Sequence, residues 1–250
     1  MMSTETCLLI DNSNTRTKFM LCGAKGEPEL RVLPTAEICR ESLLALLSDW
    51  FFHRVVLCSV VPWSAEVIST VLKGAELTLV NAENVSDVDF SSYPGCASLG
   101  ADRVANVLAA VRYAPLPIVA VDMGTATTLD VVVQGESGPK FAGGMIAPGL
   151  HALADSLPRC TAQLPPVDLK FQGPVIGRNT KEAMSSAVCV GYPGMLDSLL
   201  DAIEAELGEK AHVVITGGDA QTLAPAMRHK CIHVPALTLV GTACAAHINL

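Results

Sequence analysis

Apolar residues in this chain fall in short runs that end on small or acidic residues. Near the N-terminus CLLID and KFMLC flank the polar NSNTRT, which predicts two strands joined by a turn, with ELRVL as a third strand. From Ala36 to Trp50 the positions Ile38, Leu43, Leu44 and Leu47 recur at helical spacing. RVVLCSVV is brief, continuous and β-branched, so it reads as a buried strand. SAEVISTVLKG then predicts a helix ending at Gly74, and ELTLV a further strand. ADRVANVLAAVRY predicts a helix with Val104, Val107, Leu108 and Val111 on one face. PLP at 115–117 breaks the pattern and sets the expected domain boundary, 1–114 and 115–250.

The second half repeats this plan. PIVAVD, TTLDVVV and FAGGMIA predict strands, and HVVIT another before the GGDA turn. Asn179 is placed to cap a long helix, with Glu182 at the third position reaching back. That helix carries a stripe of Met184, Val188, Met195, Leu199 and Ile203, and Pro193-Gly194 is expected to kink or interrupt it. TLVGTACAAHI predicts a closing helix. Strand clusters followed by helices, in two copies, imply two α/β domains.

The repetition extends to detail. Setting Asp11 of LLIDNSNTRTKF on Asp122 of VAVDMGTATTLD puts Ser13 on Gly124, Asn14 on Thr125 and Thr17 on Thr128. Hairpin tips of small residues expose backbone N–H groups that converge on phosphate oxygens, hydroxyls add donors, and a strand-end Asp can hold a cation. Either string alone is an ordinary turn with a capping Asp. Two in register, followed by TGGDA at 216–220, favour a grip on a nucleotide from two sides. No Walker A loop and no GxGxxG occurs.

Composition narrows the partners. The 250 residues are 50% hydrophobic and 17% charged, with a net charge of −8, which speaks against a general nucleic-acid surface but not against a local anion pocket. Arg16, Lys18, Arg103 and Arg178 are candidates to line one. Nine cysteines lack CxxC or zinc-ligand spacing and read as free thiols in a reducing compartment. No basic leader and no long apolar run is present in the sequence, so a cytoplasmic protein without a membrane partner is expected.

DNSNT, CSVVP, LGADR, DMGTATT, GGMIAPGL, IGRNT and TGGDA, in this order, resemble the type III pantothenate kinases of the acetate and sugar kinase/Hsc70/actin superfamily. The resemblance implies two ribonuclease H-like (actin-like ATPase) domains facing across a nucleotide cleft. It implies ATP-dependent phosphorylation of pantothenate, the first step towards coenzyme A, in a homodimer. Asp102 would be the general base, with Gly100, Ala101, Asp102, Arg103, Tyr93 and Thr180 at the substrate. Asp11, Asn12, Ser13, Asn14, Thr15, Arg16, Thr17 and Lys18 form the first phosphate-binding segment, and Thr125 contacts ATP. Asp11 would help hold the Mg²⁺ that accompanies ATP, and Asp122 a monovalent cation, K⁺ or NH₄⁺.

Ser13 departs from the family's usual Gly. If that turn requires positive φ, Ser13 carries strain on the order of 1–2 kcal/mol and Ser13→Gly tightens ATP binding. Pro94, Cys96, Ala187 and Pro193 are further departures. Two other readings stand beside the pantothenate kinase: a non-catalytic accessory or regulatory protein on the same fold, and a kinase for another hydroxylated substrate such as a sugar.

Overall fold

A computed structural model describes residues 6–23 and 28–248. It contains β1 (Cys7–Asn12), β2 (Arg16–Cys22), β3 (Glu29–Pro34), α1 (Arg40–Leu46), β4 (Arg54–Ser59), α2 (Pro62–Val71), β5 (Glu76–Leu79) and α3 (Ala101–Ala110). There follow β6 (Ile118–Met123), β7 (Ala126–Gln134), β8 (Pro139–Pro148), α4 (Leu150–Cys160), α5 (Thr180–Leu207), β9 (His212–Thr216), α6 (Ala220–Leu223), β10 (Cys231–His233) and α7 (Leu237–Ala245).

The strands form two five-stranded sheets, ordered β3-β2-β1-β4-β5 and β8-β7-β6-β9-β10. Each sheet is the same path taken twice. An antiparallel β-hairpin opens it (β1 with β2, β6 with β7), and a parallel strand then lies on the hairpin's other side (β4 on β1, β9 on β6). The duplication anticipated from the strings is therefore a duplication of topology.

By contacts the chain divides into two units, residues 1–112 with 134–142 and 236–250, and residues 113–133 with 143–235. Beside a single cut at 114/115, this division places residues 134–142 and the last helix with the first unit. In α7, Gly241 lies against the backbone of Ala105 so closely that any side chain there would overlap it. Thr238 adds a buried hydrogen bond to Asn106 Oδ1 at 2.9 Å. Two small residues thus let α7 press against α3, and the C-terminal helix completes the first unit.

In the first unit Leu8, Ile10, Phe19, Leu43, Val55, Leu57 and Ile68 make a buried cluster. In the second, Val119, Val121, Leu129, Tyr192, Leu196, Leu200, Val213 and Ile215 do so. The stripe foreseen on α5 sits one position off at its centre. Tyr192, Leu196 and Leu200 are buried, while Val188, Met195 and Leu199 pack at the margin.

The expected interruption of α5 does not occur. One helix of 28 residues runs through Pro193. Pro193 and its neighbours Tyr192 and Leu196 are buried, so core packing outweighs the one missing ladder hydrogen bond. The helix that opens on the last residue of GGMIAPGL, α4, has Leu150, Leu153, Ala154 and Leu157 at helical spacing, a signal interrupted by Pro158 and not taken up in the sequence reading, and the three-residue β10 is too short to announce itself.

Candidate active site

The first unit carries Asp11, Lys18, Tyr93 and Asp102. Asp11 ends β1 and is buried, at 2% exposure. Lys18, opposite it in the β1–β2 ladder, donates to Oδ2 at 2.9 Å, and the Ser13 hydroxyl donates to Oδ1 at 2.7 Å. The turn between them is fixed from below. Asn12 Oδ1 accepts from Ser59 Oγ at 2.6 Å and Ser64 Oγ at 2.8 Å, and its amide donates to Thr17 Oγ1 at 2.7 Å. Thr17 meets Thr35 at 3.0 Å, and Thr35 Oγ1 donates to the Ser13 carbonyl at 2.6 Å. Ser59 is the Ser of CSVVP, which gives that string a physical purpose. Asn14, Thr15 and Arg16 stay exposed at the tip.

Ser13 carries none of the expected strain. Among the described side-chain-bearing residues only His247 has positive φ, at 57°. The turn closes with Ser13 N–H donating to the Arg16 carbonyl at 3.3 Å, in a conformation open to any residue. Exchanging Ser13 for Gly therefore relieves nothing and removes a donor from Asp11.

Asp102 stands in the first turn of α3, partly buried, its Oδ1 accepting the Arg103 backbone N–H at 2.7 Å. Burial pushes its carboxyl above the ordinary range; the Arg103 N–H opposes this and the Asp11 charge reinforces it. Gly100 leaves room for the carboxylate, since a Cβ there would come within 2.7 Å of Asp102 Oδ1. Tyr93 and Arg103 converge on one residue that the sequence reading did not single out. The buried Phe141 ring meets Tyr93 edge-on at 5.1 Å and Phe90 at 5.3 Å, and the Arg103 guanidinium lies 5.9 Å from its centre. Backbone hydrogen bonds between Asp89 and both Pro139 and Phe141 pin this loop to the start of β8. Within KFAGG the Phe looks like any strand residue, so nothing flagged it.

The second unit carries Asp122, Thr125 and Thr180. Asp122 pairs with Thr128 across the β6–β7 ladder, whereas Asp11 pairs with Lys18. The second turn is thus one residue shorter. The structural counterpart of Thr17 is Thr127, not Thr128 as a gapless offset implies. Both are fully buried, and Thr127 is held by Tyr192 of α5 at 2.6 Å. Two more strings brace the turn. Gly149 N–H donates to the Thr125 carbonyl at 3.2 Å. Gly217, at φ 99°, lies on the backbone of Met123, whose carbonyl accepts the Asp219 N–H at 3.3 Å. Of the two glycines in TGGDA, Gly217 serves the hairpin and only Gly218 faces open space. Thr180 opens α5, exposed. Asn179 caps that helix by accepting the Glu182 N–H at 2.9 Å, and Glu182 returns to the Arg178 N–H at 2.8 Å, one residue earlier than the expected reciprocal bond.

With this geometry in view, comparison with known proteins is decisive. The profile of the type III pantothenate kinases matches residues 7–202. The chain belongs to the type III pantothenate kinase family. It is 41% identical over 250 residues to the type III pantothenate kinase of Akkermansia muciniphila, covering 98% of this chain and 100% of that one. It is 36% identical over 239 residues to that of Methylacidiphilum infernorum, covering 94% and 85%. Among solved structures, a Campylobacter jejuni protein assigned to the Baf family superposes with a TM-score of 0.62 at 20% identity, covering 96% and 97%. A glucokinase from an Antarctic psychrotroph gives 0.51 at 12%, covering 97% and 99%. The fold is that of the actin-like ATPases.

The raised Asp102 carboxyl has a consequence for stability. Its folded form holds a proton more tightly than the unfolded chain, so Asp102 lowers stability as pH rises from the ordinary carboxylate range through its raised value. Asp102→Asn keeps the Arg103 contact without the buried charge. Thermal melts are expected to show Asp102→Asn melting above wild type near pH 7, with the gap closing below about pH 4. An unchanged or lower melting point at pH 7 contradicts this.

Proposed function

We propose that this chain transfers the γ-phosphoryl group of ATP to the primary hydroxyl of pantothenate, the first step of coenzyme A synthesis, with Asp102 as the general base. Family membership supports the reaction, and the observation that supports the role is the partly buried carboxylate of Asp102 in the first turn of α3, held by the Arg103 N–H and raised by burial and by the charge of Asp11. A carboxylate so placed orients the acceptor hydroxyl and takes its proton as the new P–O bond forms. Arg103 is assigned the substrate carboxylate, and Tyr93, on the Phe141 platform, the apolar part of the acceptor. Gly100, Ala101 and Thr180 complete the substrate set.

The segment from Asp11 to Lys18, with Thr125, is assigned to ATP. Both oxygens of Asp11 are engaged by Lys18 and Ser13, so Mg²⁺ with ATP would be met through its retained waters. Asp122 is assigned a monovalent cation. The donors suit one: the Thr128 hydroxyl, opposite Asp122 in the ladder, is buried without a hydrogen-bond partner, which makes an all-oxygen set. Such a cation would be held by Asp122 and would supply positive charge to offset the repulsion between that carboxylate and the phosphates of ATP.

A homodimer in the cytoplasm completes the reading. Val175, Ile176 and Val190 are exposed at 70%, 85% and 55% and offer apolar contact. No described helix is long and apolar enough to cross a membrane.

Two outcomes test the assignment. Asp102→Asn is expected to bind ATP as wild type does and to lose about 10²–10⁴ in turnover; near-wild-type turnover removes Asp102 from the role. Phosphorylation is expected with K⁺ or NH₄⁺ and to be poor with Na⁺ alone, and Asp122→Ala is expected to flatten this dependence. Equal rates in rigorously K⁺-free Na⁺ buffer contradict the cation assignment.

A further inference from the structure

The second unit holds a group of side chains that the kinase reading does not use. Asp197, Asp201 and Glu204 lie on one face of α5, and His229 stands before β10. His229 is nearly buried, with its side chain 11% exposed. Its Nδ1 is 2.7 Å from Asp197 Oδ1, so with the carboxylate accepting, the ring N–H sits at Nδ1. Asp197, itself 3% exposed, also accepts the backbone N–H groups of Arg228 and His229. The imidazole is thereby fixed in orientation and tautomer. Its other nitrogen, Nε2, points at two carboxylates, 3.5 Å from Asp201 Oδ1 and 3.6 Å from Glu204 Oε2.

These distances are long for hydrogen bonds but suit a shared metal. Ligands 2.0–2.1 Å from a tetrahedral Zn²⁺ stand about 3.3–3.4 Å apart. The three ligand atoms, one each from His229, Asp201 and Glu204, all lie within 4.8 Å of one another. A carboxylate behind the ring, as Asp197 is, is the outer partner that metal-binding histidines ordinarily have. We propose that His229, Asp201 and Glu204 form a site for a divalent transition metal of the zinc class, with Asp197 as the positioning residue.

Charge and access agree. Burial pushes Glu204 up, but Lys210 and the Ala211 N–H outweigh it and hold the carboxyl below its ordinary range. Lys210 pairs with Glu204 and Arg228 with Asp201. Three carboxylates, Arg228 and Lys210 sum to −1 with a neutral imidazole; a divalent ion in place of Lys210 brings the group to zero. Lys210 is 82% exposed, so its release costs little packing. A cavity of about 420 Å³ lined by Glu204, Lys210, His229 and Cys231 gives entry and room for a water as fourth ligand. The site would tie the last turns of α5, the helix whose first residue is Thr180, to the segment before β10.

The competing occupant is a proton on Nε2 between the two carboxylates, and titration separates the two. Full-length chain, free of nucleotide, is titrated with ZnCl₂ by calorimetry and with Co²⁺ by visible absorption. Asp201→Asn, which changes a half-exposed side chain, and His229→Gln serve as site variants, and Lys210→Ala as a third. The expected result is a site of one Zn²⁺ per chain with tetrahedral Co²⁺ bands. It weakens at least tenfold in Asp201→Asn, a loss of about 1.4 kcal/mol or more, and tightens in Lys210→Ala. Zinc that binds elsewhere, at thiols or the Mg²⁺-ATP residues, is unaffected by Asp201→Asn and is subtracted by that comparison. Equal zinc affinity in wild type and Asp201→Asn, or weaker binding in Lys210→Ala, overturns the proposal even if His229→Gln fails to fold.

Discussion

The side-chain amide of Asn12 is the joint on which the first unit's site depends. The tip of the β1–β2 turn, Asn14 to Arg16, is open to solvent, so its own side chains do not pack it in place. Asn12 solves this by hydrogen bonding beneath the turn, to Ser59 at the end of β4, Ser64 in α2 and Thr17 in β2. Thr17 passes the connection through Thr35 to the Ser13 carbonyl. Each buried polar group in that chain has its partner, and orphaning one costs about 1–3 kcal/mol. The turn is therefore held by polar complementarity, and its exposed residues remain available to a ligand.

The second unit meets the same demand with other residues. Thr127 occupies the ladder position of Thr17, yet its partner is Tyr192 from the long helix α5. Gly217 and Gly149 supply close backbone approach where the first unit uses Asn and Ser. The shared part is the strand path and the strand-end Asp, and the means of support has diverged. The two acids have diverged with it: Asp11 lies opposite a lysine, Asp122 opposite a threonine hydroxyl. In the first turn the acid is paired with that lysine.

Much of this was legible in the sequence, for identifiable reasons. Most strands of the two sheets, β10 excepted, are short apolar runs, and the helix that begins within LGADR has a clear apolar face. The motif residues DNSNT, GADR, DMGTATT and TGGDA carried the family and the positions of its acids. What escaped depends on contacts between distant segments. Phe141 organises Tyr93 and Arg103 only because β8 returns beside the loop at 89–93. The place of α7 in the first unit follows from Gly241 and Ala105, which no local pattern connects. The continuity of α5 through Pro193 and the absence of strain at Ser13 are cases where context outweighed a local rule. A gapless alignment of the hairpins also hid the one-residue difference in turn length, since only the ladder register reveals it.

The central claim is that this geometry serves phosphoryl transfer to pantothenate. Its most direct test is the product formed by purified chain with ATP, Mg²⁺ and K⁺ over a panel of acceptors: pantothenate, pantothenate lacking the primary hydroxyl, and simple sugars. The account predicts a single phosphomonoester at the primary hydroxyl of pantothenate, with ADP formed in equal amount and no product from the deoxy analogue or the sugars. ADP release that pantothenate does not stimulate, or phosphorylation of a sugar in preference to pantothenate, would contradict it.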